Sequence, residues 1–187
     1  MQERLKTSPK PSVVCFIGAE GTTLRGAAES AVGRKLEWPD RPEVPRARGK
    51  VVGLYCGGTL CAEAQTIFAH RGNHQFIDLG GDEYTRGRPH PMIEPELRNE
   101  HIARALADPQ IAVLLFDVVL GYGSHENPAQ VLVDGLRGTK KVAVASVTGT
   151  EQDPQVLSRQ RAILKSAGVI VAPSNAHAAE FAASLAA

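Results

Sequence analysis

The residues best suited to chemistry fall in three clusters. The first is Gly57-Gly58-Thr59, a sharp turn between an apolar, β-branched run (Val51 to Tyr55) and a segment with Leu60, Ala64, Ile67 and Phe68 at helical spacing. Glycines let a backbone approach a ligand, and Thr59 is a good helix N-cap. The first turn of a helix also leaves N–H groups unpaired and carries partial positive charge, so the chemistry expected here is anion binding. A plain tight turn is the alternative. The second cluster lies in the loop Asp82 to Pro91, which holds Asp82, Glu83, Arg86, Arg88 and His90. That loop is long for a strand-to-helix connection, and guanidinium forks suit a carboxylate or phosphate. A solvated charged loop is the plainer reading. The third is the turn Gly121, Gly123, Ser124, with His125 after it and Asp117 near the end of the strand before it. His125 is placed to meet a phosphate or move a proton, or simply to face solvent. Asp117, ionisable in an apolar run, either caps neighbouring N–H groups or serves the site. Cys61 stands in a first helical turn, where a thiolate is favoured, although packing is the commoner role for such a cysteine.

These clusters need elements to hold them. From Lys50 onward the pattern alternates strand and helix: strands at Val51 to Tyr55, Gln75 to Leu79, Ile111 to Val119, Val142 to Val147 and Val169 to Ala172. Helices are expected from Thr59 to about His70, Pro95 to Leu106, a start capped by Asn127 with Pro128 first, Asp153-Pro154 to Ser166, and Ser174 onward. The run Ile111 to Val119 is the most apolar, as a central parallel strand covered on both faces requires. Five such repeats define an α/β fold, a doubly wound parallel sheet of flavodoxin-like type, strand order 2-1-3-4-5. That order places the turns after the first and third strands side by side, so two helix N-termini would face one crevice. Upstream, Ser12 to Ile17 reads as a strand and Thr22 to Lys35 as a helix, a βα fragment of a preceding module (residues 1–35). Residues 36–49, with Pro39, Pro42 and Pro45, read as a stiff extended linker. The main domain is then 50–187.

Composition narrows the field. With 187 residues, 21 Lys and Arg against 20 Asp and Glu, and 5% aromatics, nothing suggests a nucleic-acid partner. No apolar run approaches the ~20 residues that span a bilayer, and no signal-peptide core is visible. Three cysteines without framework spacing fit a cytoplasmic location, and their spacing does not suit zinc, so no metal is expected.

The run Gly53-Leu54-Tyr55-Cys56-Gly57-Gly58-Thr59-Leu60-Cys61, then Asp78-Leu79-Gly80, Asp82-Glu83 and Gly87-Arg88-Pro89-His90-Pro91, resembles the C-terminal part of the FdrA proteins. These are relatives of the succinyl-CoA synthetases, and residues 50–187 look like the flavodoxin-like ligase domain of their β-subunit. The resemblance implies that Gly57, Gly58 and Thr59 hold a phosphate, with Gly121 to Ser124 alongside. It further implies acyl or carbamoyl transfer, as in oxamate and allantoin metabolism, and a CoA-binding-like partner domain or subunit. Any CoA or nucleotide would be held through such further domains, with no certain cofactor of the chain's own. One departure matters: Gly21 to Glu29 contains no histidine, so the phosphohistidine motif of the synthetase α-subunit has no counterpart there.

On this reading the chain binds phosphate or an acyl or carbamoyl phosphate. Asp82, Glu83, Arg86 and Arg88 hold substrate, His90, His125 and Asp117 do the chemistry, and the chain works with other domains or subunits, a second copy being left open. A non-catalytic assembly or regulatory module that retains only the ligase fold is the rival. A flavin-binding electron carrier fits less well, because the turn after the first strand lacks the Ser/Thr-rich pattern that would hold a flavin phosphate.

Overall fold

Alternation along the strands builds two cores, one on each face of a single sheet. In the computed structural model, which describes residues 7–18 and 22–186, the strands are β1 (Lys50–Tyr55), β2 (Gln75–Asp78), β3 (Ile111–Val119), β4 (Val142–Thr148) and β5 (Ile170–Ala172). The helices are α1 (Leu24–Val32), α2 (Gly58–Phe68), a single turn α3 (Asp82–Thr85), α4 (Asn99–Ala107), α5 (Pro128–Gly135), α6 (Leu157–Ser166) and α7 (Asn175–Leu185). All strand pairs are parallel, in the order β2-β1-β3-β4-β5. In β3, Val113 and Leu115 turn to one face and meet Cys61, Ala64 and Phe68 of α2 and Ala178, Phe181 and Ala182 of α7. Leu114, Phe116 and Val118 turn to the other and meet Ile102, Ala129, Leu132 and Leu164 of α4, α5 and α6. Such a strand has no face left for water, which is why its sequence does not alternate. Because β1 pairs with both β2 and β3, the loops after β1 and β3 emerge at one sheet edge, at the point where the winding reverses.

The N-terminal part departs from the sequence expectation. Residues 12–17 form no strand, and Val13 and Phe16 remain 47% exposed. A lone extended segment with no partner has nowhere to send its backbone donors except water. Residues 19–21, between the two expected elements, lie outside the described residues. Helix α1 is shorter than expected: the Thr23 side chain accepts from the Gly26 amide at its start, and Gly33 ends it at φ 64°. The Pro-rich stretch 36–49, read as a stiff extended linker, packs against the main domain. Trp38 stands edge-on to Phe181 at 5.3 Å, and Ala47 pairs with Ala186, so the segment lies along α7. The apolar indole, which a purely polar linker would lack, anchors it there.

A charged clasp joins α1 to α7. Arg25 Nη1 and Nη2 donate to the two Glu180 carboxylate oxygens at 2.7 and 2.5 Å. Those bonds hold Glu180 below the usual carboxylate range, while burial and the nearby Arg25 charge lower His177. Both groups have folded pKa values below their unfolded ones. Their contribution is therefore complete above the unfolded values and is lost as pH falls, for His177 below about 6.5 and for Glu180 below about 4.5. Amide hydrogen exchange across α1, corrected for intrinsic rates, is expected to speed up as pH falls through that window. Core strand β3 should keep its protection.

Candidate functional site

The turn after β1 is built on a buried ion pair. Asp117, fully buried near the end of β3, accepts from the Cys56 amide at 2.8 Å and the Gly57 amide at 2.7 Å. Its charge is met by Arg98, only 2% exposed, whose Nη1 donates to Asp117 Oδ1 at 3.3 Å and to the carbonyls of Asp117 and Leu54 at 2.8 and 3.3 Å. Arg98 comes from the 3-10 turn Pro95–Arg98 that leads into α4. Asp117 thus does what the cap reading expected, bonding N–H groups of the turn. A guanidinium bonded to both the carboxylate and two strand carbonyls makes this burial tolerable.

Gly57 is the N-cap residue of α2 and no side chain caps the helix, so Thr59 lies inside the helix and is not its N-cap. The Gly58, Thr59 and Leu60 amides, in the first turn, have no intrahelical acceptor. Close to them sits Asp78, at the end of β2. Its Oδ1 accepts from the Gly80 amide at 3.0 Å, and a Cβ placed on Gly58 would lie 2.6 Å from Oδ2. Cys61, further along α2, is buried, and burial with the charges of Asp78 and Asp117 pushes its thiol up to about 12. No reactive thiolate resides there.

His90 and His125 share one local device. The Met92 amide donates to His90 Nδ1 at 3.1 Å, and the Asn127 amide donates to His125 Nδ1 at 3.0 Å. Each Nδ1 is therefore an acceptor, so in the neutral ring the proton rests on Nε2. The His125 amide donates to the Met92 carbonyl at 2.8 Å, which ties the two loops together. His90 Nε2 would lie 2.5 Å from a Cβ on Gly80, which places the imidazole against the β2 end of the crevice.

The turn after β3 is held from a distance. Gln155, 2% exposed, accepts from the Gly121 amide and donates to the carbonyls of Gly121 and His125. Gly121 and Gly123 have φ of 143° and 81°, which a side chain would strain. Ser124 closes the turn through its amide to the Gly121 carbonyl. Asn127 stands at the N-cap of α5 without capping it. Instead Gln160, fully buried, accepts from the Ala129 amide at 3.0 Å and binds Asn127 Oδ1 through Nε2. The two helix N-termini at the switch point therefore differ: that of α2 has no side-chain cap, while that of α5 is partly filled by the Gln160 side-chain amide. Next to Gln155, Val156 takes φ 59°, a strained conformation for a β-branched residue. Val156→Gly should raise stability by up to about 1 kcal/mol, read as a higher urea midpoint, because strain relief outweighs the added unfolded-state freedom.

The substrate-binding residues read from the second cluster do not converge. Arg86 and Arg88 are exposed, and among the described residues neither guanidinium has an ion-pair partner. Asp82 and Glu83 begin α3 and line, with Asp78, a cleft of about 440 Å³ along the free edge of β2. The site residues not picked out from the sequence are Asp78, Arg98, Gln155 and Gln160. Arg98 carried a signal: it lies four residues before Ile102 and seven before Ala105, on the buried stripe of the following helix. Gln160 is likewise in phase with buried Leu164.

A five-stranded parallel sheet in the order β2-β1-β3-β4-β5, with helices on both faces and the turns after β1 and β3 at its switch point, defines a doubly wound α/β domain. A sequence model of the CoA-ligase family matches residues 54–185, and the chain belongs to that family. It is 31% identical to a protein of Escherichia coli strain K12 described as uncharacterized protein YahF, over 92% of this chain and 45% of that protein. The chain thus spans less than half the length of that curated relative. Among solved structures it is similar to ATP citrate lyase from Methanothrix soehngenii in complex with citrate and coenzyme A, at 19% identity and a TM-score of 0.53. That match covers 88% of this chain and 26% of the lyase. A variant ATP citrate lyase of Methanosaeta concilii in complex with (3S)-citryl-CoA gives a TM-score of 0.52 at the same identity and coverage. At that identity the likeness is one of fold.

Proposed function

We propose that this chain is an FdrA-like module that binds phosphate, or an acyl or carbamoyl phosphate, at the first turn of α2. It would act in acyl or carbamoyl transfer together with a CoA-binding-like domain or subunit. The observation that carries the reading is the open first turn of α2. No side chain caps its amides, while the carboxylate that organises the turn is already neutralised by Arg98. In the transfer, the acceptor's nucleophile attacks the carbonyl carbon and the bond from that carbon to the bridging oxygen breaks. The departing phosphate takes that electron pair and is held by the Gly58, Thr59 and Leu60 amides. His90, with its proton on Nε2, donates a hydrogen bond to the leaving oxygen. Asp78 Oδ2, which has no hydrogen-bond partner among the described residues, accepts the proton that an amine acceptor must lose. Asp117 acts as a positioning residue, His125 lines the opposite lip, and Arg86 and Arg88 meet the anion as it enters.

Titration calorimetry with phosphate, acetyl phosphate and carbamoyl phosphate tests this. Gly58→Val places a side chain against Asp78 and over the amides, and should weaken binding at least about tenfold, the equivalent of one lost charge-assisted bond. Unchanged affinity in that variant would overturn the reading. One observation favours the assembly-module alternative: Asp78 brings negative charge close to the same turn. If none of the three compounds binds the wild-type chain, that alternative stands.

A further inference from the structure

A cavity of about 870 Å³ opens between α1 and the carboxyl ends of β4 and β5. Its walls are apolar, formed by Leu24, Val32, Leu36, Leu60 and Val147. Its floor is polar and incompletely satisfied. Glu63, 1% exposed, accepts from Asn175 Nδ2 at 2.9 Å and the Arg25 amide at 3.3 Å. The Arg25 guanidinium, which lines the same cavity, acts on it through space but is hydrogen-bonded to Glu180, so Glu63 has no direct ion-pair partner among the described residues. Asn175, 5% exposed, leaves its Oδ1 buried without a partner. A buried carboxylate that no cation touches directly and an orphan acceptor beside it are each costly, and one positively charged hydrogen-bond donor would relieve both. The rim carries the opposite demand. Arg161 leaves its Nε unpartnered, and Arg34 and Lys35 line the same cavity, as do Glu29 and Glu37.

We infer that this cavity binds an ammonium compound with an apolar body and a carboxylate at its far end, of the class of short apolar peptides. The ammonium sits over Glu63 and Asn175 Oδ1, the aliphatic body lies on Leu60 and Val147, and the carboxylate faces Arg161. The volume lies within the range typical of ligand cavities and has ample room for a dipeptide. The site is independent of the anion reading, since it uses the side chains flanking α2 and not its N-terminal amides.

The probes are leucyl-leucine, N-acetyl-leucyl-leucine, which lacks the ammonium, and leucyl-leucine amide, which lacks the carboxylate, titrated into the intact chain by calorimetry. Leucyl-leucine should bind saturably, with the acetylated form about tenfold weaker and the amide several-fold weaker, as expected for the loss of one charge-assisted bond each. Glu63→Gln keeps the side-chain shape and should abolish the preference for the free ammonium. No saturable binding of leucyl-leucine, or equal affinity for all three compounds, would overturn the inference without bearing on phosphate binding. So would a folded Glu63→Gln protein that keeps the wild-type preference. Should that variant fail to fold, the three probes on the wild-type chain decide by themselves.

Discussion

Arg98→Met is expected to destabilise the chain by about 3–5 kcal/mol, because it strands the buried charge of Asp117. For a chain of this size that corresponds to a fall in Tm of roughly 6–20 °C. The loss has a specific origin. Asp117 would keep its bonds from the Cys56 and Gly57 amides but would carry a full negative charge at 0% exposure with no cation. Adding Asp117→Asn should recover part of the loss, since the amide oxygen still accepts from the turn and no buried charge remains unpaired. Thermal unfolding of the two variants checks both statements. A loss below about 1 kcal/mol in Arg98→Met would show that water or a moved side chain replaces the guanidinium, and the account of the turn would have to be abandoned.

Gly80→Ala should cost about 2–4 kcal/mol and also displace His90. A Cβ at this position runs into the Cys56 carbonyl oxygen and lies 2.5 Å from His90 Nε2 and 3.0 Å from Cε1. The imidazole can swing away, but the carbonyl belongs to the backbone leaving β1 and cannot move without disturbing the turn. Urea unfolding measures the first effect. Imidazole nitrogen NMR measures the second, through loss of the tautomer fixed by the Met92 amide. A variant with wild-type stability and an unchanged His90 signature would mean that the β1 and β2 ends are less closely packed than described.

The two variants probe features of unequal visibility in the sequence. Glycines after strands are legible as turns, so the turn after β1 could be read directly, although Gly57 and not Thr59 proved to be the N-cap. The length of the Asp82 to Pro91 loop was also legible, but not its course. Asp82 and Glu83 went to the free edge of β2, while His90 returned to the crevice. A loop's path depends on contacts with distant residues, here the Met92 carbonyl receiving the His125 amide. The burial of Arg98 is hidden from the sequence for a related reason. A lone arginine in a helical stripe ordinarily reads as solvated, and only the carboxylate of Asp117, 19 positions on and in another element, makes its burial favourable.

The sequence by itself determined the sheet and the winding around it. Period-two and unbroken apolar runs, punctuated by glycine and proline, encode parallel strands and crossover helices locally, and the handedness of those crossovers leaves few arrangements open. It also determined that two glycine turns would share one edge. Tertiary structure alone decided which helix N-terminus lacks a cap, since that of α5 is bonded by Gln160 from α6 and that of α2 by no side chain among the described residues. It alone decided that residues 12–17 form no strand and that α1 clasps α7, because pairing and docking depend on what surfaces are left to meet. Elements are written in neighbouring residues, but a site is written in pairs far apart in the chain, whose interaction energy exists only once the fold has brought them together.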